Sequence, residues 1–181
     1  MPKYYNQLDF PVTITDKVSK YKAENRNQVR ASKNMLGAEV DKRLAAAGLE
    51  ILWLEVFYLG KNSDHSIHCD GHELDDKAKI NYVIGGKNSV MTWYDPVDEI
   101  KIQKRTSPAN TIYLGIDHKN TVETERTEMH GLYLVNVGRF HNVWNKDEDR
   151  YCLSAAIVDI KTGYRPLFNE LQARLKDYIN D

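Results

Sequence analysis

Residues 131–160, GLYLVNVGRFHNVWNKDEDRYCLSAAIVDI, hold three runs rich in β-branched and aromatic residues, separated by short polar joints. GLYLVNVG (131–138), HNVWN (141–145) and YCLSAAIVDI (151–160) each have strand length, and the joints leave no room for a helix. Asn145-Lys146-Asp147-Glu148-Asp149 has turn chemistry and predicts a hairpin between the last two runs. Strands joined so closely run antiparallel.

The same pattern extends upstream through LEILWLEVFYL (49–59), AKINYVIGG (78–86), SVMTWYD (89–95), NTIYLGI (110–116) and TVETERTE (121–128). Their joints are again turn-forming: Gly85-Gly86-Lys87-Asn88, Asp95-Pro96 and His118-Lys119-Asn120. About eight short strands without intervening helices predict a mainly β protein, an antiparallel sandwich or barrel, with a jelly roll (double-stranded β-helix, cupin-like) fitting best. A helix is expected from Asn27 to Ala47, where Val29, Leu36, Val40, Leu44 and Ala47 share one face and Gly48 stops the chain. A second is expected from Leu167 to Ile179, on Leu167, Leu171, Leu175 and Ile179. Both would pack outside the sheets. With no repeat or Pro/Gly-rich linker, residues 1–181 read as one domain: an N-terminal arm and helix (1–48), a jelly-roll core (49–160) and a C-terminal helix (161–181).

Composition narrows the function classes. A net charge of −1 offers no electrostatic case for nucleic acid or an anionic membrane. No apolar run approaches the roughly 20 residues that span a bilayer. The opening MPKYYNQLDF has no signal-peptide character, so a cytoplasmic location is expected. Two cysteines, Cys69 and Cys152, do not make a disulfide framework and read as free thiols.

Half of the six histidines fall in HSIHCDGHELDD (65–76). At a strand end, alternation sends His68 and Asp70 to one face and Cys69 to the other. An imidazole and a carboxylate so placed chelate one divalent ion but need a third ligand. Across the expected hairpin, His141 and Arg150 lie roughly opposite each other, and parity puts Cys152 and Ser154 on the same side as both. A buried guanidinium needs an anion, most naturally a carboxylate held bidentately. Two histidines and a carboxylate form the facial triad of non-haem Fe(II) oxygenases.

On these residues the chain resembles the Fe(II)/2-oxoglutarate-dependent dioxygenases over about residues 50–160. His68-Cys69-Asp70 stands as the HxD motif, His141 as the distal histidine and Arg150 as the co-substrate arginine. IHCDG (67–71) with KINYVIGGKNSVMTWYD (79–95) is similar to small stand-alone members, including phage ones, and FHNVWNKDEDRYCLS (140–154) to the aspartyl/asparaginyl β-hydroxylase-like branch. The resemblance implies Fe(II) on His68, Asp70 and His141, with 2-oxoglutarate and O2 consumed to give succinate and a hydroxylated product. It also implies that Asn81, with Lys79 second, contacts the 1-carboxylate of 2-oxoglutarate, and Ser154 its remote carboxylate. Trp93 and Tyr94 would line the pocket or sit in the core.

Other readings stay open on sequence. His72 shares parity with Asp70 and would complete a His68-Asp70-His72 zinc site, though Gly71 argues against a strand continuing that far. His65 and His72 otherwise read as exposed loop residues, and His118 and His130 as loop or edge residues. Arg150 would pair with Asp147 or Glu148 in a surface hairpin. A cupin-like metal enzyme without 2-oxoglutarate, or a non-catalytic β-sandwich binding module, fits the same strand pattern. The substrate, small molecule or peptide, leaves no motif in Asp95–Arg126, and exposed strand edges would permit a homodimer.

Overall fold

A computed structural model describes residues 4–20, 28–97, 101–106 and 112–180. Among the described residues, thirteen strands form two antiparallel sheets. They are β1 Tyr5–Gln7, β2 Gln28–Ala31, β3 Leu49–Leu59, β4 Ser63–Asp64, β5 His68–Cys69, β6 Ala78–Gly85, β7 Val90–Pro96, β8 Gln103–Thr106, β9 Ile112–Gly115, β10 Thr121–Glu128, β11 Gly131–Asn136, β12 Phe140–Asn145 and β13 Arg150–Asp159. The larger sheet runs β1-β11-β6-β13-β3-β2, and the smaller β10-β7-β12-β5-β9-β8, with β4 added on β12. This is a jelly roll with its helices outside, as the strand pattern predicts.

Burial follows from layering. β13 is buried along its whole length because it is central in its sheet and covered on both faces. Its outward residues Leu153, Ala155 and Ile157 join Leu54, Val56, Ile80 and Leu134 under the helices. Its inward residue Cys152 packs with Leu59, Val83, Met91, Trp93 and Val143 between the sheets. A third cluster, including Cys69, Tyr94, Leu114 and Phe140, covers the other face of the small sheet. Alternation over one strand therefore feeds two separate cores.

Both predicted helices shorten. Only Ala38–Ala46 (α1) is helical within the expected 27–47 span; Asn27 lies outside the described residues. Residues 28–31 instead form β2, where Val29 pairs with Val56 on β3, and Lys33–Leu36 makes a 3-10 turn. Gly37 separates turn from helix. A Cβ there would come within 2.6 Å of the Thr13 carbonyl, so the chain passes too close for any side chain. The apolar face itself survives, since Leu36, Val40 and Leu44 are buried. At the C-terminus, Phe168–Arg174 is α-helix (α2) and Lys176–Tyr178 a 3-10 turn. Leu167 is the exposed N-cap rather than a core position, and Phe168, Leu171 and Leu175 make the buried set.

A larger correction concerns residues 145–149. β12 and β13 do not pair: β12 belongs to the small sheet and β13 to the large one. The five residues form a corner between sheets, not a hairpin. Asn145 holds it, its Nδ2 donating to the carbonyls of Leu59 (3.0 Å), Gly60 (2.8 Å) and Glu148 (2.7 Å). His141 and Arg150 consequently reach the interior from opposite walls. Among the described residues, no helix is long and apolar enough to cross a membrane.

Candidate metal centre

Residues 63–68 run antiparallel to β12, and this pairing sets the histidines. Ser63 and Asp64 register with Asn145 and Trp144, and the His65 amide donates to the Val143 carbonyl at 2.9 Å. His68 is then opposite His141, one residue out of step with the earlier register. The ring centroids of His68 and His141 lie 4.5 Å apart. Beyond β5 the Asp70 amide donates to Val137 (2.8 Å), and Gly71 takes a φ of +133°, leading the chain off the strand.

Each of the two imidazoles is oriented by its own strand. His68 Nδ1 lies 2.7 Å from the Ser66 carbonyl and His141 Nδ1 2.8 Å from the Arg139 carbonyl. A carbonyl only accepts, so both Nδ1 atoms carry hydrogen, and in the neutral ring the lone pair is therefore on Nε2. One ligand atom from each of His68, Asp70 and His141 fits a cluster with all members within 4.8 Å of one another. Burial, then the neighbouring His68, press the His141 pKa down to about 3, so this imidazole is neutral at physiological pH. Burial alone would raise the Asp70 carboxyl. Lys79, His141 and His68 outweigh it and hold the group well below the usual carboxylate range.

The large sheet supplies the facing wall. Arg150, Cys152, Ser154 and Ala156 alternate inward on β13 and register with Gly85, Val83, Asn81 and Lys79 on β6. Lys79 is engaged on both sides, 2.8 Å from Asp70 Oδ2 and 3.8 Å from Glu55 Oε2. It therefore braces the Asp70 carboxylate. Arg150 is 4% exposed, and among the described residues no carboxylate pairs with it. Its Nε has no acceptor, and the Cys152 thiol is the group it meets. Burial opposes its charge. Asp147 and Glu148, the alternative partners, are occupied at the corner by the Asn88 side chain (2.5 Å) and the Lys87 amide (2.9 Å). Asn81 Oδ1 is buried without a partner on the same wall. A buried cation without a carboxylate and an orphan amide oxygen on one wall are polar groups that a polar guest would satisfy.

The remaining sequence candidates divide clearly. Ser154 is buried opposite Asn81. Trp93 is core: it stacks on Tyr4 and Tyr5 at 5.9 and 5.5 Å, and its Nε1 donates to the Asn136 carbonyl. Tyr94 faces the third cluster, with its hydroxyl donating to Asn142. His72, His118 and His130 are exposed. Cys69 points away from the cluster, and burial pushes its thiol up to about 12.

His65 is not the exposed loop residue expected. It is half-buried, its ring 6.3 Å from that of His68, and burial, His68 and Arg150 together lower its pKa to about 4. Residues 65 and 68 have opposite parity, but the one-residue slip between Asp64 and His68 brings both toward the interior. Strict alternation hides such a bulge. Glu55, and Tyr113 with its ring 5.8 Å from His68, also go unflagged by sequence because neither belongs to a motif.

No family model and no curated protein matches the chain. Among solved structures it is similar to a 2OG-Fe(II) oxygenase family oxidoreductase from Burkholderia pseudomallei (11% identity, TM-score 0.37, 65% of this chain and 47% of that one). It is also similar to apo HygX from Streptomyces hygroscopicus (12%, 0.40, 88% and 85%). A third is a cupin 2 domain-containing protein from Halorhodospira halophila (10%, 0.34, 83% and 76%). The chain spans under half the length of the first of these. Likeness at this level decides nothing about chemistry, which rests on the residues themselves.

Proposed function

We propose that the protein is a non-haem Fe(II)- and 2-oxoglutarate-dependent oxygenase that hydroxylates its substrate while 2-oxoglutarate becomes succinate. One observation carries the reading. Two Nδ1-tethered histidines and a carboxylate converge within 4.8 Å on one wall, and an unpaired buried arginine stands on the other. The donor set fits a divalent ion of intermediate hardness, and two imidazoles with one carboxylate suit Fe(II) with open positions. His68 Nε2, His141 Nε2 and an Asp70 oxygen would hold the iron, which when bound supplies oxygen activation. The Ser66 and Arg139 carbonyls fix both rings, so little ordering is left for the moment of binding. Lys79 holds Asp70 ionised and oriented. Arg150 would take the remote carboxylate of 2-oxoglutarate, with Ser154 and Asn81 completing the polar wall. A metal enzyme indifferent to 2-oxoglutarate gives no reason to bury Arg150 without an anionic partner.

The test is direct. Anaerobic Fe(II) plus 2-oxoglutarate should give a charge-transfer absorption band, and aerobic protein should release succinate. His141→Ala should abolish both, and Arg150→Ala should leave Mn(II) binding intact while abolishing the response to 2-oxoglutarate. Metal binding with no 2-oxoglutarate response in the unaltered protein overturns the oxygenase reading.

A further inference from the structure

Two arginines beside the site have no anionic partner among the described residues. The Arg30 guanidinium on β2 lies 5.2 Å from the Trp53 ring centroid, and that of Arg165, after β13, lies 4.9 Å from the same centroid. The two charges are thus at most about 10 Å apart. Neither makes a hydrogen bond or ion pair among the described residues, and Arg165 Nε is shielded from solvent with no acceptor. An indole face offsets part of a cation's desolvation but satisfies none of its N–H donors.

Their place in the fold connects them to the cluster. Trp53 registers with Ala156, which also registers with Lys79, the residue that grips Asp70. Two strand spacings put the Trp53 and Lys79 backbones about 10 Å apart. Arg30 registers with Glu55, and Arg165 is close enough to Asp70 and Asp75 to feel both charges. The pair therefore flanks the site on the β3 side, apart from Arg150 at the other end of β13.

We propose that Arg30 and Arg165, both set against Trp53 and neither ion-paired, seat the acidic group of the primary substrate, a small carboxylic acid or phosphate ester. This rests on the His68–Asp70–His141 reading for where the reacting carbon goes. A polyanion such as a nucleic acid does not fit, because Glu55 registers with Arg30, Asp70 and Asp75 lie near Arg165, and the chain carries a net charge of −1. Two cations among such acids suit one anionic group. With that group on the arginines, a molecule a few bonds long reaches from the seat to the cluster.

The test uses calorimetry on protein saturated with Mn(II) and 2-oxoglutarate, so that Arg150 is already occupied, with benzoate, phenyl phosphate and neutral benzamide as probes. At least one anion should bind ten times more tightly than benzamide, and the better of the two distinguishes carboxylate from phosphate. Arg165→Gln should weaken that anion at least tenfold, leave benzamide unchanged and alter Mn(II) affinity less than about threefold. Arg30→Gln, on an exposed side chain, repeats the measurement if Arg165→Gln folds poorly. A purely structural stacking role would lower stability without changing the anion-to-amide ratio. Equal binding of anions and amide, no binding of either anion, or a ratio unmoved by both variants overturns the seat. Absence of Mn(II) binding, scored first, instead overturns the metal reading.

Discussion

Replacing Arg150 with methionine should make the ligand-free protein more stable while removing its affinity for 2-oxoglutarate. The guanidinium is 4% exposed, faces no carboxylate and leaves Nε without an acceptor. An uncompensated buried cation costs several kcal/mol, so its replacement by an apolar group of similar volume should recover about 2 kcal/mol. For a chain of this length, that raises Tm by roughly 4–8 °C. If the protein works as proposed, the same change removes a bidentate charge-assisted contact to 2-oxoglutarate, and truncation of such contacts costs about 2–5 kcal/mol, a weakening of roughly thirtyfold or more. Thermal denaturation of metal-free protein gives the first number, and calorimetric titration of 2-oxoglutarate into Mn(II)-loaded protein the second. A fall in stability of about 1 kcal/mol or more would refute the reasoning, because Arg150 would then be a satisfied structural group. Stabilisation with undiminished 2-oxoglutarate binding would leave the burial argument standing and assign the anion elsewhere.

Three further outcomes are expected. Gly86 has a φ of +69°, and a Cβ there would lie 2.8–3.0 Å from the Arg150 side chain. Gly86→Ala should therefore destabilise by about 1–3 kcal/mol and weaken 2-oxoglutarate in the same calorimetric assay. Lys79→Met removes the ammonium 2.8 Å from Asp70 Oδ2, so Mn(II) affinity at pH 7 should rise, on the order of tenfold, as a repelled dication gains access; a fall would mean that ordering of Asp70 outweighs charge. Asp159 accepts from Arg174 and from Thr162 and Lys161, which hold its pKa down to about 2. Since the folded value lies below the ordinary one, its stabilising contribution is full above about pH 4 and is lost as pH falls through 2. Asp159→Asn should flatten that acid limb in denaturant titrations, and an unchanged limb would count against the Arg174 link between β13 and α2.

The strands of the core were readable because β-branched runs and turn residues are local signals. The two-residue strands β4 and β5 carry no such signal, since only their pairing with β12 makes them strands. Val29 continued a helical spacing, yet it pairs with Val56 across a sheet. Local periodicity cannot see a partner twenty-seven residues away. His68 and Asp70 are legible through parity within a short motif, His141 only through the expected hairpin and the family resemblance, and the structure places one ligand atom from each within 4.8 Å of the others. His65 was lost to the slip in register. Arg150 was expected inside for an imperfect reason: turn chemistry at 145–149 says that the chain reverses, not whether it stays in the same sheet.

The corner at Asn145–Asp149 gives the site a particular mechanics. His141 and Arg150 are nine positions apart, yet they stand on opposite plates of the sandwich. A dicarboxylate gripped at both ends would act as a strut between those plates. Ligand binding should then stiffen the molecule as a whole, with amide exchange slowing in β6 and β13 as much as in β5 and β12. The length of the corner would also be a functional quantity, because deleting one residue from it would turn the guanidinium out of the interior while leaving His68, Asp70 and His141 in place.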